Sequence, residues 1–488
     1  MQEDTLSKLS KLEPKRVFHY FEEITKIPRC SFKEEKIVGY LINFAKSMGL
    51  EYTQDSHNNV VIKKKATAGY ESLDPVIIQA HTDMVCEKNE NCTFDFDVDP
   101  IEFKIIDNSI VAENTTLGAD NGIGVAMALA ILESKEYEHP ALEVLLTATE
   151  ESGMVGARNL DGSSLEGKIL INLDSESEGV ACVGCASGQR DTITLKKEFD
   201  EIRDDRDFYT ISVSGLKGGH SGEEIHKGLG NSNKILGKSL YLLNSRFDIY
   251  LIDIYGGSKE NAIPRYSKAT IAIKPEDKKK VQYTMVELNK NFVKQLGKVD
   301  PDVRINFEKS EIHNKAFTKD LKNNIIDLIN LLPNGVSTMS HNVSGLVGSS
   351  SNVGVIESKE DSIVIHSSIR SELESLRDDI SHINKIAAER CNAEHRIVNN
   401  YPAWEYKEKS VVRDIAEDVY MKMFGKKLET EVIHAGLECG ILKNVIGDID
   451  MISIGPTMKG IHAPGESLEI KSVQNTFEFV VELIKNLK

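Results

Sequence analysis

Two adjacent carboxylates, Glu150 and Glu151, follow an apolar segment that runs from Ala141 to Thr147. The pattern predicts a buried strand that ends in two like charges. Repulsion between them raises one of their pKa values unless a cation neutralises the pair. One interpretation is that one glutamate binds a metal ion while its neighbour stays free to move protons. The alternative is an acidic loop after a strand, because so short a motif has low specificity.

A second apolar segment ends in His81, Thr82 and Asp83. Because side chains alternate along a strand, His81 and Asp83 are expected on the same face. An aspartate beside a metal-binding histidine fixes the tautomer of the imidazole and raises its basicity. A histidine with a purely structural role explains the same residues.

Two more carboxylates stand at the ends of predicted elements. Asp174 follows a third apolar segment, and Asp120 lies between Gly118 and Gly122 at the start of a helical segment, residues 123–133. The glycines suit a tight backbone that presents the Asp120 carboxylate. An aspartate that caps the helix fits the same position.

These segments are more informative together, because open α/β sheets place their sites at the carboxyl ends of strands. His462 adds a fifth group, between the strand-like segment MISIG and an amphipathic helix predicted over 473–487. Histidine and carboxylate ligands suit zinc, and also cobalt or manganese. Two such ions about 3.5–4 Å apart form a hydrolytic site. We therefore predict two divalent ions, with zinc as the first choice.

Eight motifs follow one another along the chain: HTDMV, GADNGIG, TATEESGMVGARNL, NLDSE, GGHSGEEIHKGLGN, ENAIPR, HAGLECG and GIHAPGE. In this order they resemble the co-catalytic zinc peptidase family, which includes carboxypeptidases, acylamino-acid deacylases, tripeptidases and dipeptidases. The resemblance covers essentially all 488 residues and is closest to the branch of Xaa-His (aminoacyl-histidine) dipeptidases. It implies metal-dependent hydrolysis of dipeptides, with a preference for Xaa-His.

The resemblance also implies a role for each candidate ligand. His81 and Asp174 would bind one metal ion, Glu151 and His462 would bind the other, and Asp120 would bridge the two. All five positions carry the residue that the family pattern requires.

Two further roles and one backbone feature come from the same resemblance. Glu150 becomes the general base, and Asp83 becomes the partner that orients His81. The Asp120–Asn121 peptide bond is expected to be cis, which is rare for a bond that does not precede proline. Glu438, in HAGLECG, is a candidate either for binding the substrate amine or for supporting the site from behind.

The chain is long enough for two or three domains, and its pattern changes after the catalytic strands. Strand-like segments there alternate with helical ones, such as 278–296 and 319–332. We predict an α/β fold, in which a catalytic domain with a mixed sheet flanked by helices carries a two-metal site at strand ends, plus a large inserted α+β lid. The predicted parts are catalytic 1–187, lid 188–402 and catalytic 403–488. The resemblance implies a homodimer through the lid.

Three lid residues are candidates for contact with substrate. Glycines around His220 allow close backbone approach, and the resemblance implies that this histidine stabilises the oxyanion. A histidine in a turn is the alternative. In the resemblance, Asn261 matches a lid position that holds the substrate backbone, and Arg370 matches one that holds the terminal carboxylate. The planar guanidinium of arginine pairs with a carboxylate through two hydrogen bonds. Arg370 also fits a surface salt bridge.

The composition excludes several classes of partner. With 59 basic and 76 acidic residues, the net charge of −17 argues against nucleic acids and acidic membranes. No segment approaches the ~20 apolar residues of a membrane span, and the N-terminal MQEDTLSKLSKLEPKR lacks the apolar core of a signal peptide. Seven cysteines, an odd number, favour a reducing compartment. We expect a cytoplasmic protein.

Two alternative functions remain open. An N-acyl amino acid deacylase, such as an acetylornithine or succinyl-diaminopimelate hydrolase, shares the metal ligands. The long lid and the HAGLECG segment favour the dipeptidase, because these deacylases are generally shorter. A non-catalytic peptide-binding protein requires loss of a ligand or of the base, and both are present in the sequence.

Overall fold

The computed structural model describes residues 8–488 and contains two compact units. The first unit consists of the residues up to Gly184, Tyr406–Val432 and Leu437–Lys488. The second unit consists of Cys185–Glu405 and Ile433–Gly436. The sequence analysis did not foresee that Ile433–Gly436 belongs to the second unit. Residues 1–7, which begin the segment considered as a signal peptide, lie outside the described residues.

Helices and strands are numbered in chain order. The first unit contains α1 (Lys15–Ile24), α2 (Glu35–Met48), β1 (Glu51–Gln54), β2 (Val60–Lys64), β3 (Val76–His81), β4 (Phe103–Ile106), β5 (Ser109–Ala112), α3 (Ala119–Glu133), β6 (Leu142–Thr147), α4 (Val155–Arg158), β7 (Ile169–Asn172) and β8 (Val180–Cys185). The second unit contains β9 (Ser187–Lys196), β10 (Phe199–Glu201), β11 (Asp207–Ser214), β12 (Gly219–His220), α5 (Ser232–Asn244), β13 (Tyr250–Gly256), β14 (Ala262–Ile263), β15 (Ser267–Ile273), α6 (Lys278–Leu296), β16 (Arg304–Lys309), β17 (Lys315–Phe317), α7 (Lys319–Leu331), β18 (Gly335–Met339), β19 (Val347–Ser358), β20 (Ser362–Ser371), α8 (Glu374–Arg390) and β21 (Glu394–Tyr401). The chain then completes the first unit with α9 (Val411–Phe424), β22 (Glu429–Ile433), α10 (Glu438–Ile446), β23 (Asp450–Ser453), β24 (Met458–Lys459), β25 (Ser467–Glu469) and α11 (Ile470–Asn486).

The main sheet of the first unit has the strand order β1-β2-β6-β3-β7-β23-β8-β22. Its central strands β6, β3, β7 and β23 are parallel, and the pairs β1–β2, β2–β6 and β23–β8 are antiparallel. Because these central strands run in one direction, their carboxyl ends meet at the same edge of the sheet. The predicted mixed sheet flanked by helices is therefore confirmed.

The helix α3 packs against β3 and α1 beneath that edge. It is apolar all round, and nearly every residue is buried, as expected for a helix in the interior of a unit. The closing helix α11 is amphipathic and buries Val473, Phe477 and Val480 in the same core. Helix and sheet thus form a rigid base for the residues that follow the strands.

The second unit is an α+β structure around the antiparallel strand order β16-β11-β15-β13-β19-β20-β9-β21, with β18 paired to β19. Apolar residues of α5 to α8 share one buried cluster with the strands. The helix predicted over 278–296 is observed as α6 with the same bounds. No helix in the described part of the chain is long and apolar enough to cross a membrane.

Candidate active site

The first of two ligand sets lies at the carboxyl ends of β3 and β7. His81 Nε2 is 3.0 Å from Asp120 Oδ1 and 3.3 Å from Asp174 Oδ1. Asp174 Oδ1 is buried and has no hydrogen-bond partner within residues 8–488. Two buried carboxylates around one imidazole are costly without a cation, so this donor set fits a metal ion.

The second set lies beside the first and shares Asp120 with it. His462 Nε2 is 3.1 Å from Asp120 Oδ2 and 3.0 Å from Glu151 Oε1. The two carboxylate oxygens of Asp120 are therefore divided between the two sets, as a bridging ligand requires. The His462 side chain is 50% exposed, whereas His81 is 1% exposed. Solvent reaches the site from the side of the second set.

Asp120 is presented by an unusual backbone. Gly118, with a φ of 69°, is the N-cap of α3, and the Asp120–Asn121 peptide bond is cis, as the family resemblance implies. The hydrogen-bond contacts of the Asp120 carboxylate in the described residues are with His81 and His462, not with backbone N–H groups. The alternative that Asp120 is a helix cap is therefore wrong, and its carboxylate faces the two histidines.

Glu466 occupies the start of α3 instead. Its carboxylate accepts hydrogen bonds from the backbone N–H groups of Leu117, Gly118 and Ala119 at 2.7, 3.0 and 2.8 Å. Gly118 and Ala119 stand at the end of the helix where backbone N–H groups lack partners within the helix, and Leu117 directly precedes them. The sequence analysis quoted the motif that contains Glu466 but gave this residue no role.

Arg29 is a second residue that the sequence analysis missed. It is 2% exposed and donates hydrogen bonds to the carbonyls of Thr82 and Asp83, at 3.1 and 2.9 Å, and to the Gly118 carbonyl. A Cβ atom at Gly118 or Gly122 would collide with its guanidinium. The glycines around Asp120 thus make room for a buried cation beneath the acidic cluster.

Asp83 connects the first ligand set to the glutamate pair. Its Oδ1 lies 3.3 Å from His81 Nδ1 and accepts a hydrogen bond from the Glu150 backbone N–H at 2.9 Å. Its Oδ2 accepts from the Glu151 N–H at 3.2 Å and from the Ser31 hydroxyl at 2.7 Å. One carboxylate thus lies beside the His81 ring and accepts hydrogen bonds from the backbone of both glutamates.

Glu150 lies close to both His81 and Glu151, and their ligand atoms are all within 4.8 Å of one another. Thr149, directly before it, has a φ of 54°, a strained value for a β-branched residue. Burial raises the pKa of Glu150 well above its ordinary value, and the Asp174 carboxylate adds to the effect. The group is therefore suited to take up a proton.

The pKa values of two other candidate ligands, Asp174 and His462, are also raised. Burial raises the pKa of Asp174 to about 7, and hydrogen bonds to Asp120 and Glu151 raise the pKa of His462 to about 11. A cation bound to either group would displace its proton, because metal ions bind the deprotonated forms of these side chains.

His220 belongs to the second unit, where β12 pairs with β14. The Glu223 backbone N–H donates a hydrogen bond to His220 Nδ1 at 3.2 Å, so the proton of the neutral ring belongs on Nε2. Burial, followed by the charge of Arg370, lowers the pKa of His220 and favours this neutral form. The ring is thus a neutral hydrogen-bond donor.

Asn261 lines two cavities of the second unit. It shares one of about 480 Å³ with His220 and one of about 380 Å³ with Arg370 and Tyr401. The Tyr401 hydroxyl accepts a hydrogen bond from Arg370 Nη1 at 3.0 Å. No carboxylate of residues 8–488 forms an ion pair with Arg370, so the surface salt bridge is not found.

Glu438 lies in a buried polar environment. Glu438 is 0% exposed, and one of its carboxylate oxygens accepts hydrogen bonds from the Gln79 amide and the Thr147 hydroxyl, each at 2.7 Å. This burial is incompatible with direct binding of a substrate amine.

Cys30 and Cys86 form a disulfide with a Cα–Cα distance of 5.8 Å, which the sequence analysis did not anticipate.

Comparison with known proteins agrees with this architecture. The family model described as peptidase family M20/M25/M40 matches residues 77–486. The chain is 39% identical over 483 residues to the cytosol non-specific dipeptidase of Escherichia coli, covering 99% of both chains.

Solved structures show the same similarity. The aminoacylhistidine dipeptidase of Vibrio alginolyticus matches with a TM-score of 0.90 and 38% identity, over 98% of both chains. A tripeptidase from Staphylococcus aureus matches with a TM-score of 0.56 and 16% identity over 98% of this chain and 99% of its own, which shows a shared fold. The chain therefore belongs to peptidase family M20/M25/M40 and is a peptide hydrolase.

Proposed function

We propose that the protein is a metal-dependent dipeptidase with a preference for Xaa-His. The division of the two Asp120 oxygens between two histidine–carboxylate sets is the observation that carries the proposal, because it supports a two-ion hydrolytic site. The names of the Escherichia coli and Vibrio alginolyticus relatives support dipeptides, and the latter supports C-terminal histidine.

Two divalent ions, with zinc as the first choice, fit the donor atoms of the two sets. His81 and Asp174 would hold one ion, Glu151 and His462 the other, and Asp120 both. Bound ions would lower the pKa of water towards ~7 and polarise the carbonyl of the substrate.

Glu150 is the general base in this proposal. It accepts the proton of the attacking water and passes it to the departing amine, which completes hydrolysis of the peptide bond. Its position beside His81 and Glu151 supports this role. Asp83 keeps the His81 ring and the Glu150 backbone in place while the proton moves.

The residues of the second unit would bind the substrate. His220 donates a hydrogen bond from Nε2 to the developing oxyanion, since its Nδ1 already accepts one. Asn261 holds the substrate backbone, and Arg370 pairs with the terminal carboxylate. The Nε of Arg370 is buried and has no hydrogen-bond partner in the described residues, which supports Arg370 as a donor to a carboxylate.

A homodimer through the second unit completes the proposal. Its sheet ends in the edge strand β21, where Ile397 is 52% exposed, and the adjacent helix α8 exposes Ile383 and Ile386. An edge strand beside apolar residues is suited to pairing with a second copy. Sedimentation of the protein should show a dimer, and Ile397→Lys should shift it towards the monomer.

The function is tested by hydrolysis of Ala-His, β-Ala-His, Ala-Ala, a tripeptide and an N-acetyl amino acid. Each is assayed after chelation and again after zinc, cobalt or manganese is added back. We expect cleavage of the dipeptides alone, fastest for Ala-His, and only with metal. Cleavage of only the acetylated substrate would favour a deacylase. Metal binding without turnover of any substrate would favour a peptide-binding protein.

A further inference from the structure

Four neighbouring strand ends of the first unit are joined by buried polar side chains, which we name the polar row: Thr147, Gln79, Asn172 and Ser453. They lie on β6, β3, β7 and β23, and each has 0% exposure. Gln79 stands opposite Asn172, and Asn172 stands opposite Ser453, in the pairing of these strands. The row therefore crosses the sheet at nearly one level.

Hydrogen bonds connect each member of the polar row to the next. Gln79 Nε2 donates to Thr147 Oγ1 at 3.1 Å, and Asn172 Nδ2 donates to Gln79 Oε1 at 2.5 Å. The Ser453 hydroxyl donates to Asn172 Oδ1. Because each bond joins two strands, the row fixes the strand ends relative to one another.

Glu438 anchors this row from the first turn of α10. Its Oε2 accepts from both Gln79 and Thr147, while its Oε1 is buried without a hydrogen-bond partner among the described residues. No ion pair involves Glu438 in that part of the chain. A polar side chain buried at this position is costly unless it makes hydrogen bonds, and Glu438 accepts two from the polar row, so packing alone does not explain its presence.

The polar row lies directly below one of the two ligand sets. Gln79 precedes His81 by two residues, so the two share one face of β3, and Asn172 ends β7 two residues before Asp174. Asn172 Oδ1 also accepts from the Asp174 backbone N–H at 3.3 Å.

The second set is held by other means. Glu151 is fixed through Asp83, and His462 comes from a loop after β24. Neither makes a hydrogen bond to a member of the polar row in the described chain.

We propose that Glu438 is a positioning residue that acts through the polar row to hold His81 and Asp174 for one of the two metal ions. The proposal rests on the metal centre proposed above. Removing the Glu438 acceptor takes away the shorter hydrogen bond of both Gln79 and Thr147 and leaves only the longer ones, at 3.1 and 3.4 Å, so the strand ends shift. Binding of the ion at His81 and Asp174 then weakens, while binding at Glu151 and His462 changes little.

Calorimetric titration of the chelated, full-length protein with Zn²⁺ tests this. We expect two binding steps in the wild type and a loss of about 10–100-fold in one step only for Glu438→Ala. Glu438→Gln keeps an acceptor oxygen for both donors and should retain wild-type affinities. Glu143→Ala is the matched control, since it removes another buried carboxylate from the start of β6 and should leave both steps unchanged.

The outcomes separate this inference from the proposed function. A wild type that binds no zinc contradicts the proposed function itself. A wild type with two sites overturns only the role of Glu438 if Glu438→Ala affects both steps equally or neither, or if Glu438→Gln loses as much as Glu438→Ala. Circular dichroism monitors folding. If Glu438→Ala does not fold, Gln79→Met interrupts the row nearer the ligands and must give the same selective loss.

Discussion

The ligand sets of the first unit are held from many sides, whereas the candidate substrate-binding residues of the second unit have few partners. Asp83 alone accepts three hydrogen bonds, two of them from the backbone of the glutamate pair. Asn261, in contrast, is exposed, and its side chain makes no hydrogen bond within the described residues. The Arg370 side chain makes one hydrogen bond in this part of the chain, to Tyr401.

This difference matches what the two regions are proposed to do. Metal ligands must be in place before the ion arrives, so their neighbours fix them in advance. Groups that bind a substrate must admit and release it. Their free hydrogen-bond donors therefore find acceptors only when the substrate is bound. Changes in the first unit should therefore alter metal binding or proton transfer, and changes in the second unit should leave the ions in place.

The largest effect is expected for Glu150→Gln. Loss of the general base should lower kcat for Ala-His by about 10²–10⁴-fold. Two zinc ions should still bind, because Glu150 is not one of the proposed ligands. Steady-state kinetics and metal analysis measure both quantities, with the exposed Glu166→Gln as the control. Near-normal kcat in Glu150→Gln would remove Glu150 from the mechanism.

His220→Ala is expected to have the next largest effect. Loss of an oxyanion donor should lower kcat by about 10²–10³-fold. Zinc affinity should not change, since His220 belongs to the second unit and to neither ligand set. The exposed His341→Ala is the control in the same unit. Weaker zinc binding by His220→Ala would abolish the proposed separation of the two regions.

Asp83→Asn should act on the metal ions instead. Replacing the partner of His81 should weaken zinc binding by about 10–100-fold, as for other residues that orient a metal-binding histidine. Titration with Zn²⁺ measures the change, and the exposed Asp74→Asn serves as the control. Unchanged affinity would show that Asp83 does not orient His81.

The smallest effect concerns pH. In the metal-free protein, hydrogen bonds to Asp120 and Glu151 raise the pKa of His462 from 6.5 to about 11, so the folded state keeps a proton that the unfolded chain loses. From about pH 6.5 to about pH 8, the free energy of unfolding of the metal-free first unit should therefore fall as pH rises.

Zinc replaces this proton, so the free energy of unfolding should depend less on pH when zinc is bound. Thermal unfolding at several pH values, with and without zinc, measures the difference. A metal-free protein whose first unit becomes more stable across this range would contradict the ion pairing of His462.

The sequence was sufficient to predict the fold class and the strands that end at candidate site residues. Apolar segments that stop at His81 and before Glu150 mark β3 and β6, because buried strands carry continuous apolar runs. The bounds of α6 follow from its helical periodicity. These features are local, so they can be read without knowing what packs against them.

The supporting contacts could not be predicted, because they join residues far apart in the chain. Arg29 and Glu466 look like ordinary charged residues, yet both bind backbone groups around Gly118. The positive φ of Thr149 and His462 likewise comes from tertiary packing rather than from residue type. Glycines around Asp120 were the one local signal of this arrangement.

Anomalous diffraction from crystals of the zinc-loaded protein tests the central claim most directly, namely that two ions share Asp120. We predict two zinc peaks about 3.5–4 Å apart, one beside His81 and Asp174 and the other beside Glu151 and His462, with Asp120 between them. A single peak, or two peaks without Asp120 between them, would contradict the two-ion site and the mechanism built on it.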